Sequence, residues 1–312
     1  MKIRNSKTFP SMALVFAASV LSTTAFANNP ATGQAASTSG NFIEDIGASQ
    51  RVDFAGKLRM LSQRVVAAAC YADAGIDRED SLAVLNAAAA EFVVIKEALE
   101  VGNPDLGIIG PEERARTLAG LERLTNLWTP VGALADRVAA GDGTTADVAK
   151  MAELSGPLLE MAKLVVGIIS TEYSNPAELL FADAIAIDIA GRQRMLSQRM
   201  SKNACLLANG LNTDTARAEL QAARDMFDTS LTILRMGEAS VGIKAPPTQQ
   251  IADELDVVIA RWATLQPIVD MALEGGTLDE EQLEIMFNGA NAMTGEMNTV
   301  VGSYSEASKL DL

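Results

Sequence analysis

Apolar residues recur along this chain at the spacing of one face of a helix, and no stretch keeps the strict alternation of a half-buried strand. Runs such as residues 92–95 sit inside helical periodicity. Turn signals cut the pattern into eight segments. The first, 42–73, ends at Gly75. The second, 80–101, is closed by Gly102-Asn103-Pro104, a strong stop. A third opens at Pro111, whose fixed φ suits a first helical turn, and runs to about residue 140, where Gly141-Asp142-Gly143 breaks it. Thr144 or Thr145 caps a fourth, which ends near Tyr173-Ser174-Asn175-Pro176. The series then repeats over residues 177–208, 215–236, 248–273 and 279–307.

The repetition extends to the residues themselves. Ala55-Gly56-Lys57-Leu58-Arg59-Met60-Leu61-Ser62-Gln63-Arg64 returns as Ala190-Gly191-Arg192-Gln193-Arg194-Met195-Leu196-Ser197-Gln198-Arg199, with eight of ten positions identical at an offset of 135. The same offset pairs Asp53 with Asp188, Cys70 with Cys205, Phe92 with Phe227, Gly102 with Gly237 and Met151 with Met286. Trp128 and Trp262 lie 134 apart, so one residue shifts near them. A duplicated unit spanning 41–174 and 175–312 follows. The expected fold is all-α: two tandem up-down four-helix bundles that pair as an intramolecular pseudo-dimer.

Composition narrows the function classes. Lys2, Arg4 and Lys7, an apolar stretch over 12–21 and Ala25-Phe26-Ala27 read as a signal peptide (1–27) cleaved after Ala27, ahead of a flexible leader (28–40). The mature product is then expected to be soluble and periplasmic, without membrane insertion, since no later stretch reaches the ~20 uninterrupted apolar residues of a spanning helix. A net charge of −15 argues against nucleic acid as a partner. The chain has no histidine, the commonest general base and metal ligand, and lacks a nucleophile elbow or phosphate loop. Neither an enzyme nor a cofactor or metal site is expected.

Candidate chemistry lies in the duplicated decapeptide. On a helix, Gly56, Arg59 and Gln63 share one face with Ser62 beside them, and Gly191, Arg194, Gln198 and Ser197 repeat it. Glycine costs about 1 kcal/mol of helix propensity relative to alanine, so its place before each arginine asks for a close approach to the backbone. If the two first helices pack about a pseudo-twofold axis, Arg59 and Arg194 face each other and call for an anion between them. Ser62, Gln63, Ser197 and Gln198 would add neutral donors. The other reading makes the arginines structural, paired with carboxylates inside each bundle, as Asp53 with Lys57 and Asp188 with Arg192 are at i, i+4.

This Ala-Gly-x-x-Arg-Met-x-Ser-x-Arg segment resembles the N-terminal domain of type IV pili methyl-accepting transducers, the PilJ-type domain, and the related sensor domain of NarX-like nitrate/nitrite sensor kinases. The resemblance implies nitrate or nitrite held by Arg59 and Arg194, with the backbone at Gly56 and Gly191 beside it and Arg64 and Arg199 in support. The expected partner is a membrane sensor, transducer or transporter, and the expected signal a shift of the first helices along each other, of about 1–2 Å. Unlike those relatives, this chain supplies both halves of the site. Its halves differ, for Gln193 stands opposite Leu58 and Lys202-Asn203 opposite Ala67-Ala68. The alternative function is a helical structural or adaptor protein of the envelope or pilus apparatus with no small ligand.

Cys70 and Cys205, eleven residues beyond the arginines, lie near the same helix face. Either they form a disulfide across the pseudo-dimer, which needs Cα atoms about 4.4–6.8 Å apart, or they are two buried thiols.

Overall fold

The computed structural model describes residues 47–173 and 181–309. The expected signal peptide, the leader, the start of the first helix and the boundary between the two units lie outside the described residues. Eight α-helices account for most of what is described: α1 (Ala48–Ala74), α2 (Arg78–Val101), α3 (Ala115–Ala140), α4 (Thr145–Tyr173), α5 (Phe181–Ala208), α6 (Thr213–Met236), α7 (Gln249–Leu273) and α8 (Glu280–Lys309). A short 3-10 turn follows α2 (Pro104–Leu106) and another follows α6 (Ala239–Val241).

Each set of four packs in sequence order around its own core. α1 lies against α2 and α4, and α3 closes the ring; α5, α6, α7 and α8 repeat the arrangement. The two bundles then share a seam, because α1 also packs along α5. A helix covered on three sides cannot be amphipathic in the usual way. α1 is accordingly buried almost all round, with Ala55, Leu58, Val65, Val66, Ala67, Ala68 and Ala69 fully enclosed. Small side chains dominate there because neighbouring backbones must approach closely. The bundle cores are anchored by aromatic pairs at equivalent places: Phe92 stacks on Trp128 at 3.9 Å and Phe227 tilts against Trp262 at 5.0 Å.

Local signals explain several helix ends. Gly75 and Gly141 take left-handed conformations that close α1 and α3. Thr144 and Asp147 exchange hydrogen bonds at the start of α4, and Asp279 and Gln282 do so at the start of α8. Thr248 caps α7 through the Ile251 N–H.

The expected start of α3 at Pro111 is corrected. The helix begins at Ala115, because the Glu112 side chain turns inward and accepts from the N–H groups of Glu113 and Arg114 at 3.0 and 2.9 Å. The other Glu112 oxygen accepts from the Tyr173 hydroxyl at 2.6 Å and lies 3.8 Å from the Arg51 guanidinium. Arg51, itself fully buried, donates to the carbonyls of Leu99, Ile109 and Gly110. One buried ion pair thus ties the start of α1 to the α2–α3 connection and the end of α4. Its counterparts in the second bundle are Ala186, Pro247 and Ser308, so the tie belongs to the first bundle.

Among the described residues, α4 is long and apolar enough to cross a membrane by length and hydropathy alone. Its apolar side is spent within the bundle, where Met151, Leu158, Leu159, Ala162, Val165 and Ile169 are buried, while Glu153 and Glu160 lie exposed.

Candidate functional site

The seam between α1 and α5 brings the duplicated decapeptides together. Equivalent residues meet at two levels, Gly56 with Gly191 and Cys70 with Cys205, so the two helices run side by side in the same direction. At the first level the absent Cβ atoms leave room for guanidiniums. A Cβ placed on Gly56 would lie 3.5 Å from Arg59 Nη2 and 3.6 Å from Arg194 Nη2. One on Gly191 would lie 3.3 Å from Arg194 Nη2 and 3.8 Å from Arg59 Nη2. Both arginines therefore overlie both glycines, with their Nη2 atoms within about 7 Å of each other, a distance at which like charges in a poorly solvated seam repel appreciably.

The aspartates partly offset that repulsion, and they do so across the seam. Arg59 Nη1 donates to Asp188 at 3.2 Å, and Arg194 Nη2 donates to Asp53 at 3.0 Å. Each arginine also turns its Nε toward the carbonyl of its own glycine, at 3.5 and 3.3 Å. Arg194 gains a further acceptor, Asn298 on α8 at 2.9 Å, whose counterpart on α4 is Lys163. Asp53 additionally lies 4.0 Å from Lys57, and Asp188 holds Arg192. Among the described residues, the cluster of ion pairs contains four cations and two carboxylates, an excess of positive charge in an acidic chain. Burial, together with nearby Arg192 and Arg194, holds the Arg59 guanidinium below its usual range in spite of Asp188. The aspartate side chains are 37% exposed against 8% and 3% for the two arginines, so the carboxylates stand at the mouth and the guanidiniums at the floor.

The two arginines do meet. The i, i+4 pairs inside each helix also form, but neither arginine takes its carboxylate from its own bundle. This exchange is not among the pairings expected from the sequence. A signal for it was available in the aspartate six residues before each arginine, too far round a helix to serve its own arginine and well placed to serve the other.

The supporting residues are placed differently from the expectation. Ser62 and Ser197 donate to the carbonyls of Arg59 and Arg194, three residues back on their own helices. Gln63 reaches the Ser155 carbonyl on α4, while Gln198 reaches the Ala290 carbonyl and Thr294 on α8. Gln63, Gln198 and Ser197 thus tie each first helix to its fourth, Ser62 bonds within α1, and none of the four donates to the arginine side chains. Arg64 faces Glu91 on α2, and Arg199 pairs with Glu219 on α6 at 3.2 Å, so both lie on the second-helix side. With three neighbours around each first helix, a modest rotation about its axis changes the partner altogether.

Arg199 belongs to a second charged group. Glu219 accepts from Lys202 at 2.8 Å and from Asn203 at 3.3 Å as well. Burial alone would raise the Glu219 carboxyl; Lys202 and Arg199 outweigh it and hold it at about 2. Because the folded value is depressed, its stabilisation is fully present above the ordinary carboxyl value, about 4.3, and is lost as pH falls toward 2. Glu219→Gln is expected to flatten part of the fall in melting temperature across that window. An unchanged acid limb in calorimetric scans would contradict the assignment.

Cys70 and Cys205 form a disulfide, with Cα atoms 6.2 Å apart. It closes the seam beyond the arginines, where the Tyr71 hydroxyl also donates to the Ser201 carbonyl at 3.2 Å. The reading as two buried thiols is set aside by this bond.

The family model described as type IV pili methyl-accepting chemotaxis transducer N-term matches the chain in two segments, residues 45–154 and 180–282. No curated protein matches it. The two matched segments cover well over half of the chain; each takes in the first three helices of one bundle and the start of its fourth, and opens on the helix that carries the Gly-x-x-Arg pair. The chain therefore belongs to the PilJ family, the N-terminal sensor-type domains of type IV pili methyl-accepting chemotaxis transducers, and carries that helical domain twice.

Proposed function

We propose that this protein is an exported sensor component that binds a small planar oxyanion, nitrate or nitrite first, between Arg59 and Arg194. Binding is passed to a membrane sensor, transducer or transporter. The observation that carries the reading is the pair of guanidiniums lying together over Gly56 and Gly191, with more cations than carboxylates around them. Each guanidinium offers a planar fork of donors matched to a planar anion. The resemblance of the decapeptide to nitrate-sensor domains favours the same ligand class. The N-terminal signal pattern favours the periplasm.

An entering anion has to compete with Asp53 and Asp188. Taking over Arg194 and Arg59 would release both carboxylates from their cross-seam bonds. That exchange converts binding into movement, since it removes two ties between the bundles and puts one shared ligand in their place. The disulfide changes the expected form of that movement. Sliding of α1 along α5 is opposed by a covalent tie at Cys70–Cys205, so the helices pivot about that end and open or close toward Ala48 and Phe181.

Titration calorimetry and thermal shift with nitrate, nitrite and sulfate test this on the wild type and on Arg59→Gln/Arg194→Gln. Nitrate or nitrite is expected to release heat and raise the melting temperature of the wild type, with at least tenfold weaker binding in the double variant. Silence from every anion on the folded wild type would sink the reading.

A second reading is a helical adaptor without a small ligand. It is favoured by the aspartates themselves, which pair with both arginines and complete the seam with protein groups alone. On that reading Asp53→Asn/Asp188→Asn simply lowers stability. On the first, the same change frees the arginines and tightens anion binding.

A further inference from the structure

The two halves of the duplication also differ at the junction of each fourth helix with the first and second helices of the other bundle. Where α8 meets α1 and α2, the space is filled. Tyr71 and Phe287 pack ring to ring at 4.8 Å, both buried, and Asn288 donates to Asp77 at 3.3 Å. At the equivalent place, where α4 meets α5 and α6, Leu206 stands for Tyr71 and Ala152 for Phe287. The space those rings would occupy is a cleft of about 320 Å³. That is near the low end of the range for small-molecule pockets, roughly 300–1,000 Å³. Gly156 widens it, for a Cβ built there would meet only Glu219 Oε1, at 4.0 Å.

The walls are polar where the other half is apolar. Lys202 and Asn203, both 1% exposed, stand where Ala67 and Ala68 stand in the first copy, and Glu219 replaces Val84. Lys202 Nζ donates to Ser155 Oγ at 2.9 Å and to Glu219 at 2.8 Å, which accounts for two of the three ammonium hydrogens. Asn203 gives its amide hydrogen to Glu219, while its buried Oδ1 accepts no hydrogen bond among the described residues. Two cations, Lys202 and Arg199, flank the single carboxylate of Glu219. Glu153 lies on the exposed side of the cleft. Burying an ammonium and an unpaired amide oxygen is costly, and the Tyr71–Phe287 side closes the same junction with apolar groups. Bundle packing therefore does not require these charges.

We propose that the cleft between α4, α5 and α6 binds a free α-amino acid. Its carboxylate accepts the third ammonium hydrogen of Lys202. Its ammonium donates to Asn203 Oδ1 and faces Glu153. The cleft holds a short side chain against Leu206 and Pro157. This site is separate from the arginine pair and does not rest on the oxyanion reading.

The test is a thermal-shift screen of the full-length mature chain against the twenty L-amino acids, followed by calorimetry with the strongest. At least one is expected to raise the melting temperature and bind at one molecule per chain. Ala152→Phe, which restores the ring present on the other side, is expected to abolish binding while the variant remains folded by circular dichroism. Lys202→Met is expected to weaken it at least tenfold. The N-acetyl and decarboxylated forms of the same amino acid should each bind at least tenfold more weakly, whereas Arg59→Gln/Arg194→Gln should bind as the wild type does. The proposal is overturned if no amino acid binds the folded wild type, if binding survives Ala152→Phe, or if the N-acetyl or decarboxylated form binds equally well. Loss of binding in the arginine double variant alone would move the site to the seam and overturn it as well.

Discussion

Replacing Cys70 and Cys205 together by serine is expected to lower the unfolding free energy by about 5 kcal/mol. The disulfide closes a loop of 135 residues, and in the chain-entropy account a loop of about 100 already removes roughly 4.7 kcal/mol from the unfolded ensemble. For a helical unit of this size the melting temperature should fall on the order of 10 °C. Denaturant unfolding of the oxidised wild type and the double variant provides the measurement. A loss below about 1 kcal/mol would show that packing along α1 and α5 already restrains the unfolded chain or carries the seam.

The second large effect is expected at Arg51. Arg51→Met removes the buried cation from Glu112, leaving it only the half-exposed Arg114 at 3.6 Å, and strips a donor from the carbonyls of Leu99, Ile109 and Gly110. Breaking a buried pair from one side costs about 3–5 kcal/mol, much of it the penalty of the charge left behind, and the lower end is expected here because Arg114 still faces Glu112. Adding Glu112→Gln should restore part of that loss. A glutamine still accepts from the N–H groups at the start of α3, and it carries no charge to strand. Urea unfolding of the single and double variants separates the two contributions. If the double variant is no more stable than Arg51→Met, charge burial is not the cause and the lost carbonyl bonds are. The counterpart positions Ala186 and Pro247 carry no such pair, so the second bundle serves as an internal control.

The legible part of this protein was the part written in local chemistry. Gly75, Gly141, Thr248 and Asp279 announce helix ends because capping is decided by a few neighbouring residues. Glu112 shows the limit of that rule. Pro111 looks like a helix start, yet a carboxylate drawn inward by Arg51, which is distant in sequence, moves the start to Ala115. The candidate site divides in the same way. Arg59 and Arg194 could be singled out from a repeated glycine that costs helix stability. Ser62, Gln63 and Arg64 share their stretch of helix, yet Ser62 bonds within α1, Gln63 reaches α4 and Arg64 faces α2.

By itself the sequence determined that this is a duplicated all-helical chain, that its two first helices are equivalent, and that each carries an arginine above a glycine. Helical period, turn residues and self-similarity are properties of neighbours along the chain, so they can be read without a fold. The tertiary structure alone decided that the arginines exchange aspartates across the seam, that Cys70 and Cys205 bond, and that one junction is plugged by Tyr71 and Phe287 while its twin stays open beside Lys202. Each of these depends on the rotation of α1 and α5 about their axes. That rotation is set by packing against three neighbours at once, and no local residue pattern specifies it.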